Sequence, residues 1–253
     1  MSRKPRVKSY SGIYHIMMRG INRQTIFEDD QDKIRFIETV KRFKNISNFH
    51  IYGYCLMDNH IHLLIKENDE ALSKAVQRIS ASYVYWYNNR YDRSGSLFQG
   101  RYKSEPVDSL SYFLKVIRYI HQNPLKAGLA SNVFECKWTS VNEYFNRSTF
   151  LDIEFALHQF SPDRKQAIQM YTDYMHAPND DECLDDQIMV KSSDDNVKKY
   201  LSEIGFPHSS ELQKIDKNKR NEIILELKSL KGVTTRQLSR ITGISKSVID
   251  RVR

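Results

Sequence analysis

The chain has 253 residues, 40% hydrophobic and 28% charged, with a formal net charge of +8. That is an ordinary composition for a folded protein, long enough for one large domain or a domain plus a smaller module. Three scattered cysteines (Cys55, Cys136 and Cys183) without a CxxC argue against a disulfide framework or a thiolate zinc site and fit a reducing cytoplasm. The basic N-terminus has no apolar segment behind it, and no apolar run approaches the ~20 residues of a membrane span.

Charge is unevenly placed. Residues 1–130 carry 21 Lys/Arg against 12 Asp/Glu, residues 131–213 carry 7 against 15, and residues 214–253 carry 11 against 4. Two basic blocks flanking an acidic middle point to two modules that each meet a polyanion, and nucleic acid is the obvious one.

In chain order, "IYHIMMR" (13–19) reads as a strand. Ile34, Ile37, Val40 and Phe43 have helical spacing, with Asp29 or Asp30 as N-cap. "FHIYGYCL" (49–56), the turn-like "MDN" and "HIHLLIK" (60–66) read as a hairpin. A long helix follows over 70–90, then the Gly/Ser-punctuated basic loop "DRSGSLFQGRYKS" and a short strand "EPV". "SLSYFLKVIRYIHQN" (109–123) predicts an amphipathic helix capped by Ser109 and ended by Pro124. The order β-α-β-β-α-β-α predicts an α+β fold, an antiparallel sheet with helices on one face. Residues 150–176 read as helical, 177–189 as an acidic linker and 195–253 as several short helices. The domains expected are residues 1–145, an extension and linker over 146–195, and a module over 196–253.

Two pieces carry chemistry. On a strand, His60 and His62 project from one face while Ile61, Leu63 and Ile65 project from the other. Such a pair can converge on one ion, though two half-exposed histidines would show the same pattern. In "RYIHQNP" (118–124), Tyr119 and Asn123 are four apart and share a helix face. Asn supplies a hard oxygen suited to Mg²⁺ or Mn²⁺, and a phenol beside such an ion could attack phosphorus. Tyr119 is also one of 15 tyrosines, and packing alone would account for it.

Taken together, "MDNHIHLLI" and, some 55 residues later, "RYIHQNP" resemble the HUH single-tyrosine transposases of IS200/IS605 type, and most of all their REP-associated tyrosine transposase branch. "YHIMMRGINRQTIF", "GSLFQGRYKS" and "NPLKAGL" extend the resemblance over roughly residues 10–145. It implies a ferredoxin- or RRM-like fold, with His60, His62 and Asn123 holding Mg²⁺ or Mn²⁺ and Tyr119 as nucleophile. The implied substrate is single-stranded DNA near a hairpin, cleaved through a 5′-phosphotyrosine; related enzymes act either as dimers that swap the tyrosine helix or as monomers, and the REP-associated branch resembles the monomers. The usual Met-Pro-Asn turn is here Met57-Asp58-Asn59, outside the ligand set. Arg19, Arg23, Arg101 and Lys103 are candidate phosphate contacts. His15 is a candidate supporter of the metal pair.

Near the C-terminus, "TTRQLSRITGISKSVIDRV" (234–252) has helix-turn-helix spacing, with Gly243 at the turn and Ser245 capping the second helix. Arg236, Lys246 and Arg251 are its candidate duplex-DNA contacts. The reading is a cytoplasmic, metal-dependent DNA transposase. Its rival is a non-catalytic DNA-binding regulator, but all four presumed active-site residues are present.

Overall fold

The computed structural model describes residues 6–146, 150–178, 183–184, 194–207, 209–230 and 233–252. The chain divides into two compact units, Met1–Leu184 and Asp185–Arg253. Each has its own hydrophobic core.

The first unit is built on β1 (Ile13–Arg19), α1 (Asp30–Ser47), β2 (His50–Met57), β3 (His60–Lys66), α2 (Leu72–Arg90), β4 (Lys103–Pro106) and α3 (Leu110–Lys126). The four strands form one antiparallel sheet in the order β2-β3-β1-β4. This alternation and strand order are those of a ferredoxin-like α+β fold. Asp29 caps α1 by accepting from the Gln31 and Asp32 amides, and Ser109 caps α3 by accepting from the Tyr112 amide.

Helices cover both faces of the sheet, not one as the sequence suggested. On the face of Ile61 and Leu63, α1 brings in Phe36 and Val40. On the same face the Ser80 hydroxyl of α2 reaches Met18 Sδ at 3.5 Å. On the histidine face, α3 sets Phe113 against Tyr52 and Tyr119 against His15 and His62. The reason is that the histidine face is itself apolar around the pair. Met17, Cys55 and Leu64 all project there and are buried, so that face needs a cover too.

Pro124 does not end α3, which continues to Lys126. It falls in the last turn, where the loss of one amide is tolerable, and the end is closed by Ala127 N–H donating to the Asn123 carbonyl and Gly128, at φ +70°, donating to that of Leu125. Asn123 therefore stays helical, one turn beyond Tyr119.

The helical stretch expected over 150–176 is two helices, α4 (Ile153–Leu157) and α5 (Arg164–His176), broken at Ser161-Pro162. α5 packs into the first unit's core. Tyr171 stacks on Tyr144 with centroids 4.4 Å apart, and Gln122 Nε2 donates to the Met175 and Ala177 carbonyls. Of the acidic stretch 177–189, only residues 177–178 and 183–184 lie within the described part.

The second unit contains α6 (Asp194–Glu203), α7 (Lys217–Ser229), α8 (Thr235–Thr242) and α9 (Lys246–Arg251). Val197, Leu201, Ile224, Leu227, Leu238 and Ile249 form its core. Gly243, at φ +68°, ends α8 in the left-handed conformation that favours glycine. Ser245 occupies the cap position of α9 without capping it; its hydroxyl meets Ser247 Oγ at 3.2 Å instead.

Candidate active site

The site forms where the centre of the sheet meets α3. β3 lies between β2 and β1, with His62 opposite Cys55 on one side and Met17 on the other. His62 is fully buried. His60 stands at the mouth of the strand, opposite Arg19. Tyr119 and Asn123 come down from α3 onto the same face. The Tyr119 ring centroid lies 5.6 Å from that of His62 and 5.8 Å from that of His15. Asn123 Oδ1 lies 3.4 Å from His60 Nε2. The four residues singled out from two distant segments thus form one cluster within a single chain.

The hydrogen bonds orient both imidazoles. His60 Nδ1 meets Asn59 Oδ1 at 2.7 Å, so it carries the proton and Nε2 presents a lone pair toward Asn123 Oδ1. His62 Nδ1 meets His15 Nε2 at 2.9 Å. His62 Nε2 is buried with no hydrogen-bond partner. A buried acceptor without a donor is costly unless something electropositive meets it.

These donors suit a divalent cation. His60 Nε2 and Asn123 Oδ1 face each other at 3.4 Å. Adjacent ligands on an octahedral ion with bonds of about 2.1 Å are about 3 Å apart, so the pair needs little adjustment. Among the described residues no group of three or more His, Cys, Asp or Glu could hold a metal, and the third donor here is an amide. Burial holds His62 well below the usual imidazole value, with the positive fields of His15, His60 and Arg19 acting the same way. Burial alone lowers His15 to about 3. His62 is therefore neutral, the form that binds metal.

The surrounding cations are placed variously. Arg23 is exposed, at φ +63°, in the loop after β1. That loop clasps the β2–β3 turn through Gly20 N–H to the Asn59 carbonyl and Ile26 N–H to that of Asp58. Asp58, where the resemblance expected proline, pairs with Lys33 of α1 at 2.8 Å. Lys103 lies across β1 from His62, in register with Met17. Arg101 is exposed on the loop before β4. Lys126 Nζ lies 5.1 Å from the Tyr119 ring centroid. Arg236, Lys246 and Arg251 are exposed on α8 and α9 of the second unit.

Sequence reasoning passed over Asn59, although its place beside His60 was a usable signal. It gave no role to His121. That side chain turns away from the site, between Ser140 Oγ at 2.7 Å and the Tyr171 hydroxyl at 3.0 Å, and is structural.

A family model described as transposase IS200-like matches residues 8–123. Over that segment, a little under half of the chain, the protein is similar to the IS200-like transposases. The match begins before β1 and ends on Asn123, so it spans every residue of the cluster. Among solved structures, the chain is similar to a REP-associated tyrosine transposase bound to a REP hairpin, at 17% identity and a TM-score of 0.49, over 60% of this chain and 90% of that one. It is also similar to a candidate transposase from Deinococcus radiodurans R1, at 14% identity and a TM-score of 0.35, over 51% and 100%. No curated protein sequence matches. Among the described residues, no helix is long and apolar enough to cross a membrane.

Proposed function

We propose that the chain is a metal-dependent transposase of the REP-associated type, which cuts and rejoins single-stranded DNA beside a hairpin. The observation that carries this reading is the convergence of Tyr119, His60, His62 and Asn123 on one sheet face. His60 Nε2, His62 Nε2 and Asn123 Oδ1 would hold Mg²⁺ or Mn²⁺. When bound, the ion would withdraw charge from the scissile phosphate's oxygens.

The chain's own groups do the rest. Tyr119 Oη attacks phosphorus, the P–O3′ bond breaks, and the phenolic proton passes to solvent as the departing 3′ oxygen gains one. The product is a 5′-phosphotyrosine and a free 3′-OH. Because the phosphodiester is exchanged and not hydrolysed, a second 3′-OH can reverse the step without an energy source. The Tyr119 of the same chain lies beside the histidines, which supports action by a monomer. Arg19, Arg23, Arg101 and Lys103 supply positive charge around the substrate path. The second unit, with Arg236, Lys246 and Arg251 exposed, would bind duplex DNA.

The test is incubation of the full chain with hairpin-bearing oligonucleotides and Mg²⁺ or Mn²⁺. A covalent protein–DNA adduct is expected with wild type and not with Tyr119→Phe. An adduct that survives Tyr119→Phe removes the assigned nucleophile. No adduct on the chain's own hairpin favours a DNA-binding regulator without catalysis.

A further inference from the structure

The end of β1 connects the histidine face to a second cavity. Arg19 stands opposite His60 in the sheet, and it also lines a cleft of about 540 Å³ between α2 and the loop before β4. The cleft's walls are chemically sorted. Arg6 and Arg101 supply guanidiniums, and among the described residues no carboxylate lines it. Its floor is apolar, made by Met18, Val84 and Phe98. Gln77 and Ser73 on α2 add hydrogen-bonding groups at the rim.

One of the guanidiniums is held flat. The Arg6 Cζ lies 3.7 Å over the Tyr102 ring, and Arg6 Nη2 donates to the Tyr102 carbonyl at 3.0 Å. A guanidinium fixed in this way offers a planar cationic surface on which a nucleobase can stack. Excess positive charge, a flat stacking surface, an apolar floor and amide groups match the parts of one nucleotide: phosphate, base face and base edge.

We infer that this cleft takes one unstacked nucleotide of the single strand, close in sequence to the phosphate that Tyr119 attacks, and so contributes to the choice of cleavage position. The inference rests on the proposed DNA substrate but not on the cleavage step. α2 and the loop place the cleft on the sheet face opposite the histidines. A strand occupying both would turn around the end of β1 past Arg19.

The test uses full-length Tyr119→Phe protein and fluorescence anisotropy, so that no covalent step enters. The probes are labelled (dA)12, (dC)12 and (dT)12 and a 12-mer of abasic residues. At least one base-bearing probe should bind about tenfold tighter than the abasic one. Ala81, exposed on α2, lines the cleft. Ala81→Trp should fill it and abolish that difference while leaving abasic binding unchanged; Gln77→Trp, which fills the cleft from a second position, should abolish the same difference. Arg6→Ala/Arg101→Ala should weaken binding to every probe and flatten its salt dependence. Equal binding of abasic and base-bearing probes overturns the inference. So does a base preference that survives both tryptophan variants in folded protein. If wild type forms the covalent adduct but the base preference ignores the cleft, the cleavage reading stands and the cleft inference falls. If no adduct forms while filling the cleft removes the base preference, the reverse holds.

Discussion

His15 Nε2 lies 2.9 Å from His62 Nδ1, and both rings are fully buried. The contact fixes which nitrogen of His62 can serve as a ligand. If His62 Nδ1–H donates to His15 Nε2, the His62 Nε2 lone pair must point toward Asn123 and His60. His15 is thereby a positioning residue for the metal pair. His15→Ala should raise the Mn²⁺ concentration for half-maximal adduct formation about 10–100-fold. Adduct yield should recover at high metal, and His15→Gln, whose amide oxygen can accept the same proton, should lie between. A metal requirement unchanged in His15→Ala would remove His15 from the site.

Asn123 presents its oxygen to His60 Nε2 at 3.4 Å from the last turn of α3. Asn123→Ala deletes the only oxygen donor of the proposed set and should reduce adduct formation by at least about 100-fold at any Mg²⁺ concentration. Asn123→Asp keeps an oxygen there and adds a charge, so it should retain adduct formation with tighter Mg²⁺ dependence. If Asn123→Ala behaves as wild type in single-turnover cleavage, the amide is not a ligand.

The sheet strands were legible because their alternation is unambiguous: Ile61, Leu63 and Ile65 define one face, which assigns His60 and His62 to the other. The helical spacing of Tyr119 and Asn123 was legible in the same way. What no periodicity reveals is what lies above a sheet face. The cover over the histidines depends on α3 returning across the sheet, a consequence of chain path and not of local pattern. Pro124 misled for a related reason, since a proline costs an amide only where the helix would have used it. Arg6 was invisible as a functional residue because its partner, Tyr102, is 96 residues away.

The buried histidines make the first unit acid-sensitive. Burial lowers His15 and His121 to about 3 and moves His62 well below its ordinary value. In the unfolded chain each titrates near 6.5. Above that pH both states are neutral and stability is unaffected. Below it the unfolded state binds protons that the folded state refuses, so stability falls as pH falls. The slope is up to about 1.4 kcal/mol per pH unit for each group, continuing toward the folded-state values. Three such groups should lower the stability of the first unit steadily as the pH falls below about 6.5. Melting curves between pH 7 and 4.5 test it: a transition temperature that stays level down to pH 5 contradicts the argument.

Gly20 ends β1 beside the turn that carries His60. A methyl group there would collide with the Gln24 carbonyl oxygen and stand 2.9 Å from Ile26 Cγ2. The first neighbour is backbone and cannot swing aside. The Gly20 amide also donates to the Asn59 carbonyl at 3.0 Å, so displacement would pass directly to the residue that orients His60. Gly20→Ala should cost about 1–3 kcal/mol in urea unfolding and weaken metal-dependent cleavage beyond the stability loss. A variant with wild-type stability would mean that the Gln24 loop yields freely.

The two short helices of the second unit offer a contrast in capping. The Thr234 hydroxyl accepts from the Gln237 amide at 3.2 Å, satisfying a donor that α8 leaves over. The Ser245 hydroxyl makes no such bond to α9. Thr234→Ala should therefore destabilise its helix by about 1 kcal/mol, whereas Ser245→Ala should stay within about 0.5 kcal/mol. Hydrogen exchange separates the two. Amides of α8 should exchange about fivefold faster in Thr234→Ala, while those of α9 keep their wild-type rates in Ser245→Ala. Equal effects would mean that Ser245 caps α9 in solution, as its position in the sequence suggested, and that the hydroxyl turns from Ser247 to the helix amides.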